Sequence, residues 1–474
     1  MSLYSFYRIS KPSAEKVPQE KIQSTYKSLR NKTFWGVTIA YSLYYVCRMS
    51  LNIFKQPLID GGILTAGQLG LIGSSFMFVY AIGKFLNGFI ADYCNIRRFM
   101  ATGLFISAFV NLIMAAFGMI HSVLPAVLIP ILFAILWGMN GLMQSMGSAP
   151  GVISLSRWFP LSKRGSYYSL FSVSPDIGKG LSYLILGLLC GAVGWKFGFM
   201  MAAVAGLIGA TLILLMVSDT PESKGLPSVQ ELSGEPVKKV DRRPTKELQK
   251  MVLRHPGVWV IALSSAFLYI TKNAIDGWAV LFLQEARGLH LEANVVLFCS
   301  VAFSLVGTVM SGWLSDKVFK GDRIKPAIIA GVICSGSLAM FLFIGGGLGM
   351  SIFYISLFSF SMGVLYCVIA GLMAVDIVPR KATGAALGVV GISSYIAAGL
   401  QEITSGYLIE FNSYEKLNYM GYVMNENGSM EMITKYDNVY DFGPVSWFWV
   451  AAAIISFVLP VLNWKKMKRS VDQE

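Results

Sequence analysis

Charged residues are scarce in this sequence. Asp, Glu, Lys and Arg make up only 14% of its 474 residues, whereas a soluble globular protein contains about 25%. So few charged side chains cannot cover a surface that faces water. Hydrophobic residues make up 55% of the chain and lie in long blocks, so the composition predicts a protein embedded in a lipid bilayer.

Groupings of side chains that are typical of enzymes and metal sites are also lacking. The three histidines do not cluster, and the six cysteines are scattered without the spacing of a metal site. We expect the cysteines to pack as small apolar side chains with free thiols. Because no acid–base pair or activated nucleophile is visible, the sequence predicts neither an enzyme nor a bound cofactor or metal.

Long apolar blocks are the main positive feature. A membrane-spanning helix needs about 20 residues to cross the hydrocarbon core, and twelve blocks reach that length. The predicted spans are 33–56, 68–91, 99–119, 123–147, 166–190, 197–217, 257–283, 293–314, 326–345, 350–376, 384–409 and 444–464. The sequence therefore predicts an all-α membrane protein. The long acidic stretch 410–443 is expected to form an external loop, and we infer no structure for it.

Positive charge lies mostly on one side of these spans. The net charge is +13, yet of the 39 Lys and Arg only Lys196, Arg287, Lys416 and Lys435 fall at the opposite face. Cytoplasmic loops are enriched in Lys and Arg, so we expect a multi-pass protein of the inner or plasma membrane with both termini cytoplasmic. The charge is a topology signal, and no nucleic-acid partner is expected. We expect no cleaved signal peptide, because the residues before Thr33 are polar and basic and contain no apolar core.

Each half of the chain ends its second predicted helix with the same motif. A glycine is followed four residues later by an aspartate and then by basic residues. Glycine allows close helix packing, and the charged residues can form bonds between helices, so the motif acts in packing or in gating. The residues expected in gating are Gly88, Asp92, Arg97, Gly312, Asp316 and Lys317.

A second landmark repeats at the same offset. Tyr45-x-x-Arg48 in the first span corresponds to Tyr269-x-x-Lys272 in the seventh. Parallel repeats of this kind are typical of the major facilitator fold, which predicts two pseudo-symmetric six-helix bundles. The predicted segments are a basic N-terminus at 1–32, bundles at 33–217 and 257–464, a cytoplasmic linker at 218–256 and a tail at 465–474.

Several charges fall inside predicted spans, where each costs about 2.5–3.5 kcal/mol at a helix centre. The cations are Arg48, Lys55, Lys84, Lys179 and Lys272, and the acids are Asp176, Asp276 and Glu402. Five cations against three acids leave two positive charges without a counterion. This imbalance predicts an anionic ligand, and a phosphate dianion would neutralise it.

Some of these charges also have a structural interpretation. Lys55 lies near a helix end and is expected to snorkel to the interface, while Lys84 either snorkels or faces a cavity. Asp176 and Lys179 lie three residues apart and are expected to pair with each other. Lys272 can pair with the aspartate four residues further on, or remain available for a ligand.

Arg48 is the hardest of these residues to explain structurally. It lies in the middle of its span with no acid nearby in the sequence, so it is predicted to bind the ligand. Its guanidinium can hold phosphate oxygens bidentately, whereas Lys272 acts as a point charge. The tyrosines before it, Tyr41, Tyr44 and Tyr45, either bond a polar substrate or simply pack.

At these residues the chain resembles the organophosphate:phosphate antiporters of the major facilitator superfamily, from about residue 33 to 464. The resemblance rests on Tyr44-Tyr45-x-x-Arg48, Asn140-Gly141-x-x-Gln144-x-x-Gly147, Asp219-Thr220-Pro221-Glu222-Ser223 and Lys272 followed by Trp278. Two departures favour hexose phosphate over glycerol 3-phosphate. Lys272 replaces an arginine of the glycerol-phosphate carriers, and Pro175-Asp176-Ile177-Gly178-Lys179 replaces their His-Asn-x-Gly-Gly.

The resemblance implies a secondary antiporter that exchanges a sugar phosphate, with a hexose 6-phosphate such as glucose 6-phosphate favoured, for inorganic phosphate by alternating access. We expect a monomer in the lipid bilayer. Alternatives are a membrane sensor of hexose phosphate, an antiporter for glycerol 3-phosphate or phosphoglycerate, and a transporter of an unrelated organic anion. The predicted substrate-binding residues are Arg48, Lys272, Tyr44, Tyr45, Lys84, Asp176, Lys179 and Tyr269.

Overall fold

The structure is a computed structural model. It describes residues 6–91, 93–120, 125–160, 167–168, 170–187, 193–233, 253–314, 318–319, 322–373, 377, 383–424 and 430–472. All structural statements below concern these residues.

Twelve main helical segments follow one another along the described chain. They are α1 (Ile22–Ile53), α2 (Ala66–Ala91), α3 (Ile96–Ile120), α4 (Leu128–Trp158), α5 (Ser174–Leu181), α6 (Trp195–Met216), α7 (Pro256–Arg287), α8 (Glu292–Trp313), α9 (Ile324–Ala339), α10 (Leu348–Leu365), α11 (Thr383–Phe411) and α12 (Gly443–Asp472). Short helices at Lys55–Asp60 and Val229–Ser233 add to them. Three of the segments continue as π-helix, α5 over Ser182–Leu186, α9 over Met340–Ile344 and α10 over Tyr366–Met373.

Ten of these helices, all but α1 and α5, are long and apolar enough over their described residues to cross a membrane. α1 begins at Ile22, ahead of the predicted start at Thr33, because its first turns are polar and basic but still form regular helix. At the other end of the chain, α12 continues to Asp472 through the predicted tail. The end of a span is set by polarity, whereas the end of a helix is set by backbone hydrogen bonding.

The helices form two bundles that pack in the same pattern. In the first bundle α2 packs on α4, α3 and α1 each pack on α6, and α1 packs on α5. In the second, α8 packs on α10, α9 and α7 each pack on α12, and α7 packs on α11. The contacts between bundles, α2 with α11 and α5 with α8, are also equivalent. The predicted pair of pseudo-symmetric six-helix bundles is therefore confirmed.

The stretch 410–443 contains structure that the sequence did not predict. β1 (Ser413–Met424) and β2 (Met430–Tyr440) form an antiparallel hairpin, which begins with Ser413 opposite Tyr440. A register shift between Tyr419 and Gly421 marks a β-bulge. The all-α description thus holds for the bundles, and a two-stranded element lies outside them, between α11 and α12.

Asp219, directly after α6, ties together the face at which α1 begins, called here the terminal face. Asp219 is 3% exposed, and its carboxylate accepts hydrogen bonds from three parts of the chain. The donors are the backbone N–H of Ser10 at 2.8 Å, the backbone N–H of Ile96 at 3.0 Å and the guanidinium of Arg157 at 2.6 Å. The N-terminal segment is thereby docked against the loop before α3 and the end of α4.

We expect Asp219→Ala to lower the free energy of unfolding by about 3–5 kcal/mol, because it leaves the Arg157 charge without its buried partner. The measurement is denaturant unfolding of the purified protein in detergent micelles. Lys325→Ala is the matched control, since Lys325 is 69% exposed and lies 3.9 Å from Asp322; such pairs contribute about 0–1 kcal/mol. Equal effects of the two substitutions would contradict the role of Asp219.

Candidate functional site

A cavity of about 320 Å³ lies between the two bundles. Its lining residues include side chains of α1, α2, α4 and α5 in the first bundle and of α7, α8, α10 and α11 in the second. Seven of the eight predicted substrate-binding residues line it: Arg48, Lys272, Tyr45, Lys84, Asp176, Lys179 and Tyr269. Asp276 lines the cavity as well. Four cations and two carboxylates therefore share one cavity, which carries a net of two positive charges.

The guanidinium of Arg48 is surrounded by aromatic rings. Its central carbon lies 4.6 Å from the ring centre of Tyr80, 4.9 Å from that of Phe76 and 5.3 Å from that of Tyr45. No described carboxylate lies within ion-pair distance of it. Cation–π contacts offset part of the desolvation but leave the charge itself unneutralised.

Polar residues of α3 and α4 set the rotation of α1 and hence the direction of Arg48. Gln144 Nε2 donates to the carbonyl of Tyr44 at 3.0 Å, while Asn111 and Asn140 donate to the carbonyl of Cys47 at 3.2 and 3.3 Å. Bonds to the carbonyls one and four residues before Arg48 restrain its turn of the helix. The fourth-helix sequence signature thus supports the cavity from behind and does not line it.

Two glycines of the same signature allow neighbouring helices to approach. A Cβ at Gly141 would lie 2.5 Å from the carbonyl oxygen of Phe76, and a Cβ at Gly147 would lie 2.8 Å from the ring of Tyr41. Both distances are far below normal contact. A larger residue at position 141 would displace Phe76, whose ring contacts Arg48. A larger residue at position 147 would displace Tyr41, whose ring packs on that of Tyr45.

Four charges form a continuous chain on the other side of the cavity. Lys179 Nζ lies 3.0 Å from Asp176 Oδ1 and 3.6 Å from Asp276 Oδ2, and Lys272 Nζ lies 2.8 Å from the same oxygen of Asp276. The chain connects α5 of the first bundle to α7 of the second. Of the two interpretations of Lys272, the structure shows the pairing with Asp276, which lies four residues along the same helix face.

Lys84 and Arg48 carry the net positive charge of the cavity. Lys84 Nζ has no described acid partner and lies 4.8 Å from the ring centre of Tyr395. Tyr395 also contacts the rings of Tyr80 and Tyr269, and the Tyr269 hydroxyl is 2.9 Å from that of Tyr366. Tyr80, Tyr366 and Tyr395 line the cavity but were not predicted from the sequence. Only Tyr80 could have been predicted, since it precedes Lys84 by four residues on the same helix face.

Tyr44 is the one predicted contact that does not line the cavity. Its ring is fully buried, and its hydroxyl donates to the carbonyl of Met100 at 2.6 Å. This bond joins α1 to α3. Adjacent positions on a helix point about 100° apart, so Tyr45 faces the cavity and Tyr44 faces its own bundle.

Comparison with known proteins agrees with this architecture. The chain matches the Major Facilitator Superfamily over residues 37–401. It is 29% identical to a glycerol-3-phosphate transporter of Bacillus subtilis, covering 97% of this chain and 98% of that protein. It is 32% identical to a probable hexose phosphate transport protein of Chlamydia pneumoniae, covering 83% and 88%, and 28% identical to the membrane sensor protein UhpC of Salmonella typhimurium, covering 81% and 86%.

The chain belongs to the organophosphate:phosphate antiporter family of the major facilitator superfamily. It is a multi-pass protein of the plasma membrane, and members of this superfamily are transporters and not enzymes. Among solved structures, a bacterial homologue of the human lysosomal transporter Spinster, inward-facing and unoccupied, superposes with a TM-score of 0.67. That alignment is 16% identical and covers 93% of this chain and 96% of the other, which shows a shared fold.

In this member of the antiporter family, a buried ion pair joins the bundles at the face opposite the terminal face, called here the closed face. Lys55 Nζ lies 3.1 Å from Glu402 Oε2 and 3.5 Å from the ring centre of Trp278. Lys55 is 0% exposed and Glu402 is 2% exposed. The expectation that Lys55 snorkels to the interface is wrong, because an acid from the other bundle meets it inside the protein.

Glycines make room for this pair. A Cβ at Gly73 would lie 2.9 Å from Glu402 Oε2, and a Cβ at Gly277 would lie 2.6 Å from Oε1. Further along the same interface, Glu410 accepts hydrogen bonds from the Thr65 hydroxyl and the Gly67 backbone N–H. The start of α2 and the end of α11 are therefore held together at the closed face.

The residues predicted to act in gating are only partly within the described chain. Asp92, Asp316 and Lys317 lie outside the described residues. Gly88 and Gly312 lie in the last turns of α2 and α8. Arg97, at the start of α3, donates a hydrogen bond to the carbonyl of Leu214 in α6, so in this structure it links two helices of one bundle. Their part in gating stays a prediction.

We expect Lys55→Met to destabilise the protein by about 3–5 kcal/mol, because it leaves the Glu402 carboxylate buried without a counterion. The double variant Lys55→Met with Glu402→Gln should recover most of that loss, since no buried charge remains. Denaturant unfolding in micelles measures both.

Lys196→Met serves as the control for the loss of a lysine beside a tryptophan. Lys196 lies 5.9 Å from the Trp195 ring centre and has no ion-pair partner among the described residues, so it should change stability little. Glu402→Gln is also measured alone. If its effect and that of Lys55→Met add up to the effect of the double variant, Lys55 and Glu402 are not coupled.

Proposed function

We propose that this protein exchanges a sugar phosphate, with hexose 6-phosphate favoured, for inorganic phosphate by alternating access. The observation that carries the proposal is the excess of two positive charges in a cavity buried between the bundles. A phosphate monoester carries a charge of about −1.5 to −2 at pH 7. Such a ligand neutralises the cavity, whereas a neutral sugar or a cation does not.

The phosphoryl group is proposed to bind between Arg48 of the first bundle and Lys272 of the second. Arg48 supplies a planar fork of N–H donors that matches two phosphoryl oxygens. An ammonium group has three donors, so the bond from Lys272 to Asp276 leaves two for the ligand. Lys84 adds a further charge nearby, and the hydroxyl groups of Tyr45 and Tyr269 supply neutral hydrogen bonds.

Alternating access requires that the contacts at the closed face break while the terminal side of the cavity closes. The Lys55–Glu402 pair and the bonds of Glu410 oppose that movement, so a ligand must favour the other state by its differential affinity. An anion that bridges Arg48 and Lys272 attracts the two bundles toward each other around the cavity. Without an anion their positive charges repel, which favours exchange over one-way leak.

The orientation in the membrane follows from the basic residues. Because Lys and Arg concentrate at the terminal face, we propose that both termini and the terminal face are cytoplasmic, with the β1–β2 hairpin outside. We propose a monomer, since the cavity is formed by one chain.

A second candidate function is a membrane sensor of hexose phosphate. The similarity to UhpC over 81% of the chain supports it, and a sensor would use the same cavity for binding. An antiporter for glycerol 3-phosphate or phosphoglycerate is a narrower alternative, because the Bacillus subtilis relative is named a glycerol-3-phosphate transporter. Flux separates the classes, since a sensor binds hexose phosphate without exchanging labelled phosphate across a membrane.

We expect Arg48→Ala to reduce phosphate-driven exchange in proteoliposomes by at least a hundredfold, since bonds to a charged group contribute about 1.5–3 kcal/mol each and Arg48 can make two. Arg48→Lys should recover little of the activity because the lysine cannot form the bidentate fork. The assay is uptake of labelled phosphate against internal glucose 6-phosphate, glycerol 3-phosphate or phosphoglycerate.

Arg254→Ala is the matched control, because Arg254 is an exposed arginine outside the cavity and its loss should leave exchange unchanged. Full exchange by a folded Arg48→Ala variant would remove the proposed phosphate site. Uptake that is insensitive to phosphate would instead indicate a transporter for an unrelated organic anion.

A further inference from the structure

The cavity contains two carboxylates that a phosphate site does not need. Asp176 and Asp276 line it, with side chains that are 17% and 24% exposed. Two like charges about 4 Å apart repel by about 4 kcal/mol near a protein surface. Each carboxylate therefore weakens binding of a phosphate dianion, and a site for inorganic phosphate alone would bind more tightly without them.

Each of these carboxylates has one oxygen without a partner among the described residues. Lys179 bonds Asp176 through Oδ1, and Lys179 and Lys272 both approach Asp276 through Oδ2. The remaining oxygens, Oδ2 of Asp176 and Oδ1 of Asp276, are free to accept hydrogen bonds. Because the side chains line the cavity, a bound molecule can reach them.

The chemistry of an ionised carboxylate restricts what that molecule presents. A carboxylate only accepts hydrogen bonds, and ionised phosphoryl oxygens are acceptors as well, so the two cannot bond. Hydroxyl groups are donors, and their bonds to a carboxylate are short and about twice as strong as bonds between neutral groups. The groups that suit Asp176 and Asp276 are therefore hydroxyls on the organic part of the ligand.

Lys179 holds the two carboxylates in place. It is 7% exposed at its side chain and contacts an acid from each bundle. Asn52 of α1 and Tyr183 of α5 also approach the backbone carbonyl of Asp276, at 3.4 and 3.5 Å. The two acceptors are thus fixed across the interface, and a ligand with at least two hydroxyls can engage both bundles at once.

We propose that Asp176 and Asp276 are specificity-determining residues that accept hydrogen bonds from hydroxyl groups of the organophosphate. They favour a polyhydroxylated phosphate ester and disfavour inorganic phosphate. The inference rests on the proposed function, in which Arg48 and Lys272 bind the phosphoryl group, and it concerns the hydroxyl groups on the organic part of the same ligand.

The test compares ligands as competitors of labelled phosphate exchange in proteoliposomes. The competitors are inorganic phosphate, methyl phosphate, glycerol 3-phosphate and glucose 6-phosphate. In Asp176→Asn and Asp276→Asn, the ratio of the affinity for glucose 6-phosphate to that for methyl phosphate should fall about tenfold, since only the sugar ester loses a bond to a charged group. The affinities for inorganic and methyl phosphate should rise, because a negative charge next to the dianion is removed.

Glu20→Gln is the matched control, since it removes one negative charge at an exposed position outside the cavity and should leave every affinity unchanged. Parallel changes for all four competitors in the Asp→Asn variants would overturn the assignment while leaving the proposed exchange intact. Absence of phosphate exchange by the wild type would instead overturn the proposed function.

A series of deoxyglucose 6-phosphates tests the same assignment on the wild-type protein, independently of whether the variants fold. A site built to bond a hydroxyl group strongly rejects an analogue that lacks it. At least one deoxy analogue should therefore compete tenfold or more weakly than glucose 6-phosphate. Equal competition by every analogue would show that no hydroxyl is recognised, and the assignment would be wrong.

Discussion

The structure depends on a guanidinium, that of Arg48, which lies inside a lipid-embedded protein with no carboxylate within ion-pair distance among the described residues. A charge at the centre of a bilayer is costly, and aromatic rings offset only part of that cost around Arg48. The protein keeps this charge by fixing α1 through its carbonyls at Tyr44 and Cys47. The fourth-helix signature is best explained by this requirement, because its amides and glycines determine where Arg48 points.

The balance of positive and negative side chains differs between the closed face and the cavity. At the closed face, Lys55 and Glu402 neutralise each other completely and exclude water. In the cavity, four cations face two carboxylates, and the carboxylates keep unused acceptor oxygens. The first arrangement stabilises one conformation of the protein, and the second provides a site whose electrostatic balance is completed by a ligand. The two arrangements together suit a carrier whose conformation responds to what it binds.

π-Helical segments adjoin the cavity on both bundles. One begins at Ser182, three residues after Lys179, and another begins at Tyr366, which lines the cavity. A π-segment inserts an extra residue into a helical turn and is often found at functional sites. Here each one adjoins a side chain that lines the cavity, Lys179 in the first bundle and Tyr366 in the second. No periodicity in the sequence indicates them, because they preserve the apolar character of the span.

The sequence by itself determined the twelve apolar spans, the division into two halves and the excess of cations within the membrane, because these follow from hydropathy, from one shared offset and from counting charges. It also identified Arg48, Lys84 and Lys272 as candidates. Only the tertiary structure decided which charges pair, since Lys55 and Glu402 are far apart in the chain and Asp276 serves two lysines at once. It likewise separated Tyr44 from Tyr45 and brought in Tyr395, because the face a residue presents depends on packing between helices that one-dimensional patterns do not encode.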